Sequence, residues 1–343
     1  MAQIPWDIKD FNITEVCVKN GIEVVTFPYY RIMQCIHIIL CISSVILLLW
    51  VLTKCRSKLT FHYNIRVLFM SLFFASLLHA SLMAMFNTYQ LVLSFTYTSP
   101  CDVILPRLFY MCIHLPYNFS ILWIEGAQLV MILERMIAIF YVGRYERCTK
   151  KLGHSLLFLS FFFPLTELIW AYADETFEAP QISCLNTPVS RTKQINILFI
   201  FSIVCHILAV TCFVVVFLCH RQRSRMAHTL TGRFQFSENM ISSRLLITLS
   251  SIQLVIFLTY SVAIMYLRIS FDPVKGSAPM QKSNIMSAYL VPFYTILLPL
   301  ITMFFLARVK QTRRSDIQSM VQVKSTGQEG WANYATQLQQ QWS

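Results

Sequence analysis

The chain has 343 residues, 56% of them hydrophobic and only 13% charged, with a mean hydropathy of +0.57. That balance is too apolar for one water-soluble core, so it excludes a soluble enzyme and points to a polytopic membrane protein. The formal charge of +12 does not indicate nucleic acid, because the lysines and arginines fall in short loops between apolar runs and not in a basic domain.

Residues 1–30 are polar and acidic and lack the basic flank and short apolar core of a cleavable leader, so the first apolar run should anchor the chain. Asn12-Ile13-Thr14 is a glycosylation sequon, which makes Asn12 the expected acceptor on an extracellular tail. Apolar runs then predict membrane helices at about 31–53, 67–89, 108–145, 152–172, 195–219, 245–267 and 285–307. The expected architecture is an all-α membrane protein, with a seven-transmembrane helix bundle over 31–307. Residues 308–343 should form a cytoplasmic tail that opens with a short basic surface helix and ends in a disordered Gln-rich stretch. Of the 28 lysines and arginines, 19 fall on one side of these spans, which orients the N-terminus outside and the C-terminus inside.

The third span is the anomaly. It carries Asn118, Glu125, Gln128 and the pair Glu134-Arg135 within an otherwise apolar run. At about 100° per residue, Asn118, Glu125, Gln128 and Arg135 fall within one arc of about 100°, so they share a face. Facing lipid, such a stripe would cost several kcal/mol, so this helix should be central, with Glu125 and Gln128 as polar groups near mid-membrane. The eleven cysteines show no zinc spacing, and those inside apolar runs, such as Cys41 and Cys205, read as packing thiols. No metal, cofactor or catalytic constellation is expected, since HExxH, GxSxG and paired His/Asp patterns are missing.

An acid followed by an arginine at the inner end of the third of seven helices resembles the arrangement of G-protein-coupled receptors. More narrowly, Leu133-Glu134-Arg135-Met136-Ile137-Ala138, Tyr145-Glu146, Gly153 and Phe234-Gln235-Phe236-Ser237-Glu238-Asn239 resemble nematode serpentine chemoreceptors of the Sra superfamily, class A or class AB. The sequence departs from rhodopsin-like receptors in lacking the proline of helix six, and it has Pro292 and Pro299-Leu300-Ile301-Thr302-Met303 in helix seven.

That resemblance implies a chemosensory receptor in the plasma membrane, by family habit in a sensory-neuron cilium, with an extracellular small-molecule ligand and a heterotrimeric G protein as partners. Glu134, Arg135, Tyr145, Arg233 and Glu238 are the expected coupling residues. The candidates for an outer-half ligand cavity are His79, Asn118, Tyr260, Tyr289 and Tyr294, a polar and aromatic set suited to a small molecule. An outer disulfide is expected to tie the second outer loop to helix three. Cys112 lies 23 residues before Arg135, about 34 Å along a helix, which favours Cys112 with Cys184. Cys101 is the rival for Cys184 and would otherwise pair with Cys17. A transporter or channel is the alternative function, but the odd number of spans and the lack of an internal repeat weigh against it.

Overall fold

The computed structural model describes residues 17–54, 62–141, 150–223, 230–270, 277–321 and 327–342, with backbone alone for 220–223 and 230–239 and for stretches of the C-terminal helices. Among the described residues, nine helices of more than two turns carry the fold. They are α1 Pro28–Lys54, α2 Tyr63–Thr96, α3 Arg107–Phe140, α4 Lys150–Tyr172, α5 Thr192–Arg223, α6 Leu230–Ile269, α7 Ala278–Ala288, α8 Val291–Val321 and α9 Gly327–Trp342. The chain divides into two units, Met1–Pro299 and Leu300–Ser343, with the boundary inside α8.

Among the described residues, six spans are long and apolar enough to cross a membrane: α1, α2, α4, α5, the Met240–Ile269 part of α6, and Ala278–Thr312 across α7 and α8. The seventh, α3, is set apart by its buried polar residues. It packs against α2, α4, α5 and α6 and is therefore the central helix of the bundle. Large apolar side chains such as Ile39, Phe158 and Leu208 point outward, as expected where the surrounding medium is lipid.

Helix limits differ from the sequence expectation where proline acts. Pro292 lacks an N–H, and its ring collides with the carbonyl four residues back, that of Ala288, where α7 stops. The seventh span is thus two helices joined at Tyr289 and Leu290. Pro116, Pro164 and Pro299 stay inside α3, α4 and α8.

In the second unit, α8 continues to Val321 with no break before a separate basic helix, since neither Gly nor Pro occurs between Pro299 and Gly327. The Gln-rich stretch expected to be disordered forms α9, because Ala, Gln, Leu and Glu are good helix formers.

The end of the bundle opposite Arg135 is closed by a folded N-terminal segment. A π-helical turn at Cys17–Ile22 and a helical turn at Glu23–Val25 are held by a Cys17–Cys101 disulfide, with the α carbons 4.9 Å apart. Val24, Tyr30, Ile182 and Met286 form a buried cluster there. Arg31 seals its rim, donating to the Val25 and Ser94 carbonyls and lying over Phe95. Asp102 accepts from the Thr98 and Ser99 amides and the Thr98 hydroxyl, which holds its carboxyl below the usual range and caps the turn that presents Cys101.

Close helix approach depends on two glycines. A Cβ at Gly153 would fall 2.6 Å from Asn64 Oδ1 and 3.1 Å from Asn64 Cα, and one at Gly126 would fall 2.8 Å from Pro164 Cγ. Gly153→Val is therefore expected to push α4 off α2 and cost about 1–3 kcal/mol. Its thermal midpoint in detergent should fall well below that of a Val substitution on the lipid face, and equal midpoints would contradict the close approach.

Candidate functional site

At the basic end, Glu134 and Arg135 are 0% and 1% exposed. Arg135 Nε donates to Glu134 Oε2 at 2.6 Å and a terminal nitrogen to Oε1 at 2.7 Å, so the pair is bidentate. The other terminal nitrogen donates to Ser242 Oγ at 2.9 Å, which ties α3 to α6. This geometry suits guanidinium, whose rigid fork matches a carboxylate while leaving a further donor for a third group. Of the other expected coupling residues, Tyr145 lies outside the described residues, and Arg233 and Glu238 lie on a described backbone without described side chains. Asn12 also lies outside them.

Near mid-membrane, Gln128 Nε2 donates to the Tyr294 hydroxyl at 2.8 Å and Gln128 Oε1 accepts from Ser250 at 2.7 Å. One amide thus links α3 to α6 and α8. Glu125 is nearly buried and lies within electrostatic range of Glu167 on α4, and among the described residues it has no ion-pair partner.

Toward the disulfide end, four rings from four helices meet around Tyr289. His37, Tyr117 and Tyr260 have ring centroids 6.0, 5.8 and 5.1 Å from Tyr289, and His79 lies 6.0 Å away. The Ser120 hydroxyl donates to the Tyr117 carbonyl, so at 3.0 Å it accepts from His79 Nδ1–H. His79 Nε2 then accepts from the Tyr289 hydroxyl at 2.9 Å. Both ring nitrogens of His37 are buried without a hydrogen-bond partner among the described residues. Tyr289 sits in the break between α7 and α8, so the aromatic cluster abuts the point where the seventh span changes direction.

The expected ligand candidates separate into three places. His79, Tyr260 and Tyr289 come together. Tyr294 lies deeper, with Gln128, and Asn118 turns back onto the His114 carbonyl at 2.8 Å. Asn118 also lines a cleft with Ile121, Leu168 and Leu198 whose free space is only about 10 Å³, room for one water molecule at most. A larger cavity of about 650 Å³ lies at the basic end, between Thr53, Tyr63, Arg66 and Phe74, remote from these groups.

The expected Cys112–Cys184 pairing is corrected. The structure joins Cys17 to Cys101, and Cys112 and Cys184 are free thiols. The axial level assigned to Cys112 is compatible with the loop, but its direction is not. Tyr110 and His114 are four residues apart and share the buried face, whereas Cys112 lies between them on the exposed side. The loop is fastened without sulfur: His114 Nδ1 donates to the Cys184 carbonyl at 2.7 Å, the Tyr110 hydroxyl donates to the Asn186 carbonyl at 2.5 Å, and the Leu105 amide donates to Gln181 at 2.8 Å. Burial raises the Cys184 thiol well above its usual range, so it stays protonated. Gln90 does comparable work, accepting from Tyr30 and Gln34 and donating to the Ile182 carbonyl. Neither His114 nor Gln90 carries a sequence signal beyond being polar in an apolar run.

Comparison with known proteins agrees with this architecture. Residues 17–343 match the family described as serpentine type 7TM GPCR receptor class ab chemoreceptor. Serpentine receptor class beta-17 of Caenorhabditis elegans is 34% identical, over 92% of this chain and 88% of its own length. Class beta-16 and class beta-5 of the same organism are 27% and 25% identical, over 97% and 92% of this chain and 98% and 93% of their own lengths. With the family match spanning nearly the whole chain, this protein belongs to the class ab serpentine chemoreceptors, a seven-transmembrane family of receptors rather than enzymes.

Proposed function

We propose that the chain is a chemosensory receptor of the plasma membrane, with its N-terminus outside, that binds an external small molecule and activates a heterotrimeric G protein at its basic end. The observation that carries this reading is the buried, bidentate Glu134–Arg135 pair with its third bond to Ser242. It is a latch between α3 and α6 whose two arrangements, closed on Glu134 or released toward a partner, can be close in energy. The ring cluster around Tyr289 supplies the ligand end, because a molecule inserted there would press on the α7–α8 break.

Purified protein in nanodiscs with a heterotrimeric G protein tests the reading. Ligand-dependent nucleotide exchange is the expected result, with ligands drawn from a screen in cells carrying a promiscuous G protein. Solute flux across proteoliposomes with no exchange would replace the receptor by a transporter.

A further inference from the structure

Three of the cations at the disulfide end have evident partners. Arg107 pairs with Glu178, Arg191 pairs with Glu175, and Arg31 is bonded to two carbonyls. Two others do not. Arg268, in the last turn of α6, donates to Asn196 Oδ1 at 2.6 Å and to Thr187 Oγ1 at 3.3 Å. Lys282, in α7, donates to Asn186 Oδ1 at 3.1 Å. These acceptors are neutral, two of them are consecutive residues of the same loop, and the two cations are near enough to repel each other. Both are half-buried, and no described carboxylate lies within ion-pair distance of either. Two like charges held together in a partly desolvated place, with no described carboxylate within ion-pair distance, destabilise the unliganded protein and favour an incoming anion.

The position of the pair limits what that anion can be. Seven residues separate Lys282 from Tyr289, about 10 Å and nearly the same helical face, so the cations stand roughly two turns above the ring cluster. Arg268 follows Tyr260 by eight residues on α6, about 12 Å along the axis, and lies within electrostatic range of it. We propose that Arg268 and Lys282 clamp the head group of a carboxylic acid whose apolar body, about 10 Å long, lies along Tyr260 and Tyr289. The proposal rests on the receptor reading for its meaning, but not for its test.

The test uses full-length protein in nanodiscs and needs no G protein. The probes are ω-phenylalkanoic and straight-chain alkanoic acids of four to twelve carbons, each with its methyl ester, and the readouts are thermal midpoint and direct binding. Some acids in the series should raise the midpoint while their esters do not. Arg268→Gln and Lys282→Met should each weaken acid binding by roughly 30-fold or more, and Arg268→Lys and Lys282→Arg should retain most of it. Unliganded midpoints of all four variants control for folding. Equal stabilisation by acids and esters, an inert acid series, or acid binding that survives both neutral variants would overturn the proposal. So would an inert wild type alongside an Asp272→Asn variant that binds acid, since the chain's own carboxylate would then fill the clamp. Nucleotide exchange driven only by neutral ligands would sink the acid site and leave the receptor intact. Acid binding through Arg268 and Lys282 with no exchange under any ligand would do the reverse.

Discussion

Arg135→Ala is expected to abolish ligand-driven nucleotide exchange, while Glu134→Gln and Ser242→Ala are expected to raise exchange in the absence of ligand. The reasoning starts from burial. Glu134 and Arg135 are withdrawn from solvent, and the guanidinium bonds both carboxylate oxygens and Ser242 across the α3–α6 contact. A hydrogen bond to a charged group contributes about 1.5–3 kcal/mol, so removing the Ser242 acceptor should move the balance between closed and released forms by roughly tenfold to 100-fold. Arg135→Ala also leaves a carboxylate buried without its cation, at about 3–5 kcal/mol, so lower surface expression is expected along with lost coupling. The double variant Glu134→Gln with Arg135→Met removes that charge and separates the two effects. It should express and bind ligand like wild type yet fail to drive exchange. If it couples normally, the pair is structural and the latch is wrong; if basal exchange is unchanged in both Glu134→Gln and Ser242→Ala, the described pairing does not restrain the receptor.

Much of this was legible in the sequence because lipid leaves few places for a charge. Glu134, Arg135 and Gln128 had to face inward, and that alone made α3 central, as its contacts with α2, α4, α5 and α6 show. The same periodicity could not say which inward-facing neighbour each residue meets. Asn118 shares the arc of Gln128 but bends back onto His114, and Tyr294 lies a layer below Tyr289 although both sit in the seventh span. Partners on another helix depend on packing that no local pattern encodes. Nor does the sequence show how strongly each proline acts on its helix. Pro116 and Pro164 remain inside continuous helices, whereas Pro292 ends one, and the difference puts Tyr289 at a break. Arg268 and Lys282 were counted as ordinary loop-flanking cations, because their partners in the second outer loop, Thr187 for Arg268 and Asn186 for Lys282, lie 81 and 96 residues away in sequence.

The disulfide gives the second large effect, and it also tests the correction to the sequence reading. Cys17 and Cys101 close a loop spanning 84 residues, and the chain-entropy argument makes such a crosslink worth about 4.6 kcal/mol against the unfolded ensemble. Its loss also frees the segment that carries Val24 into the cluster with Tyr30, Ile182 and Met286. Cys101→Ser and Cys17→Ser are therefore expected to lower the thermal midpoint equally and strongly, with the double variant no worse than either single. Cys112→Ser should change little, because that thiol is exposed and unpaired, and Cys184→Ser should cost only what altering a buried thiol costs. Non-reducing peptide mapping should return a Cys17–Cys101 linked peptide. In the native protein a membrane-permeant maleimide should label Cys112 readily and leave Cys184 unlabelled until unfolding, because Cys184 is both buried and held protonated. A Cys112–Cys184 peptide, or Cys101→Ser with an unchanged midpoint, would return the loop's attachment to sulfur and take it away from His114 and Tyr110.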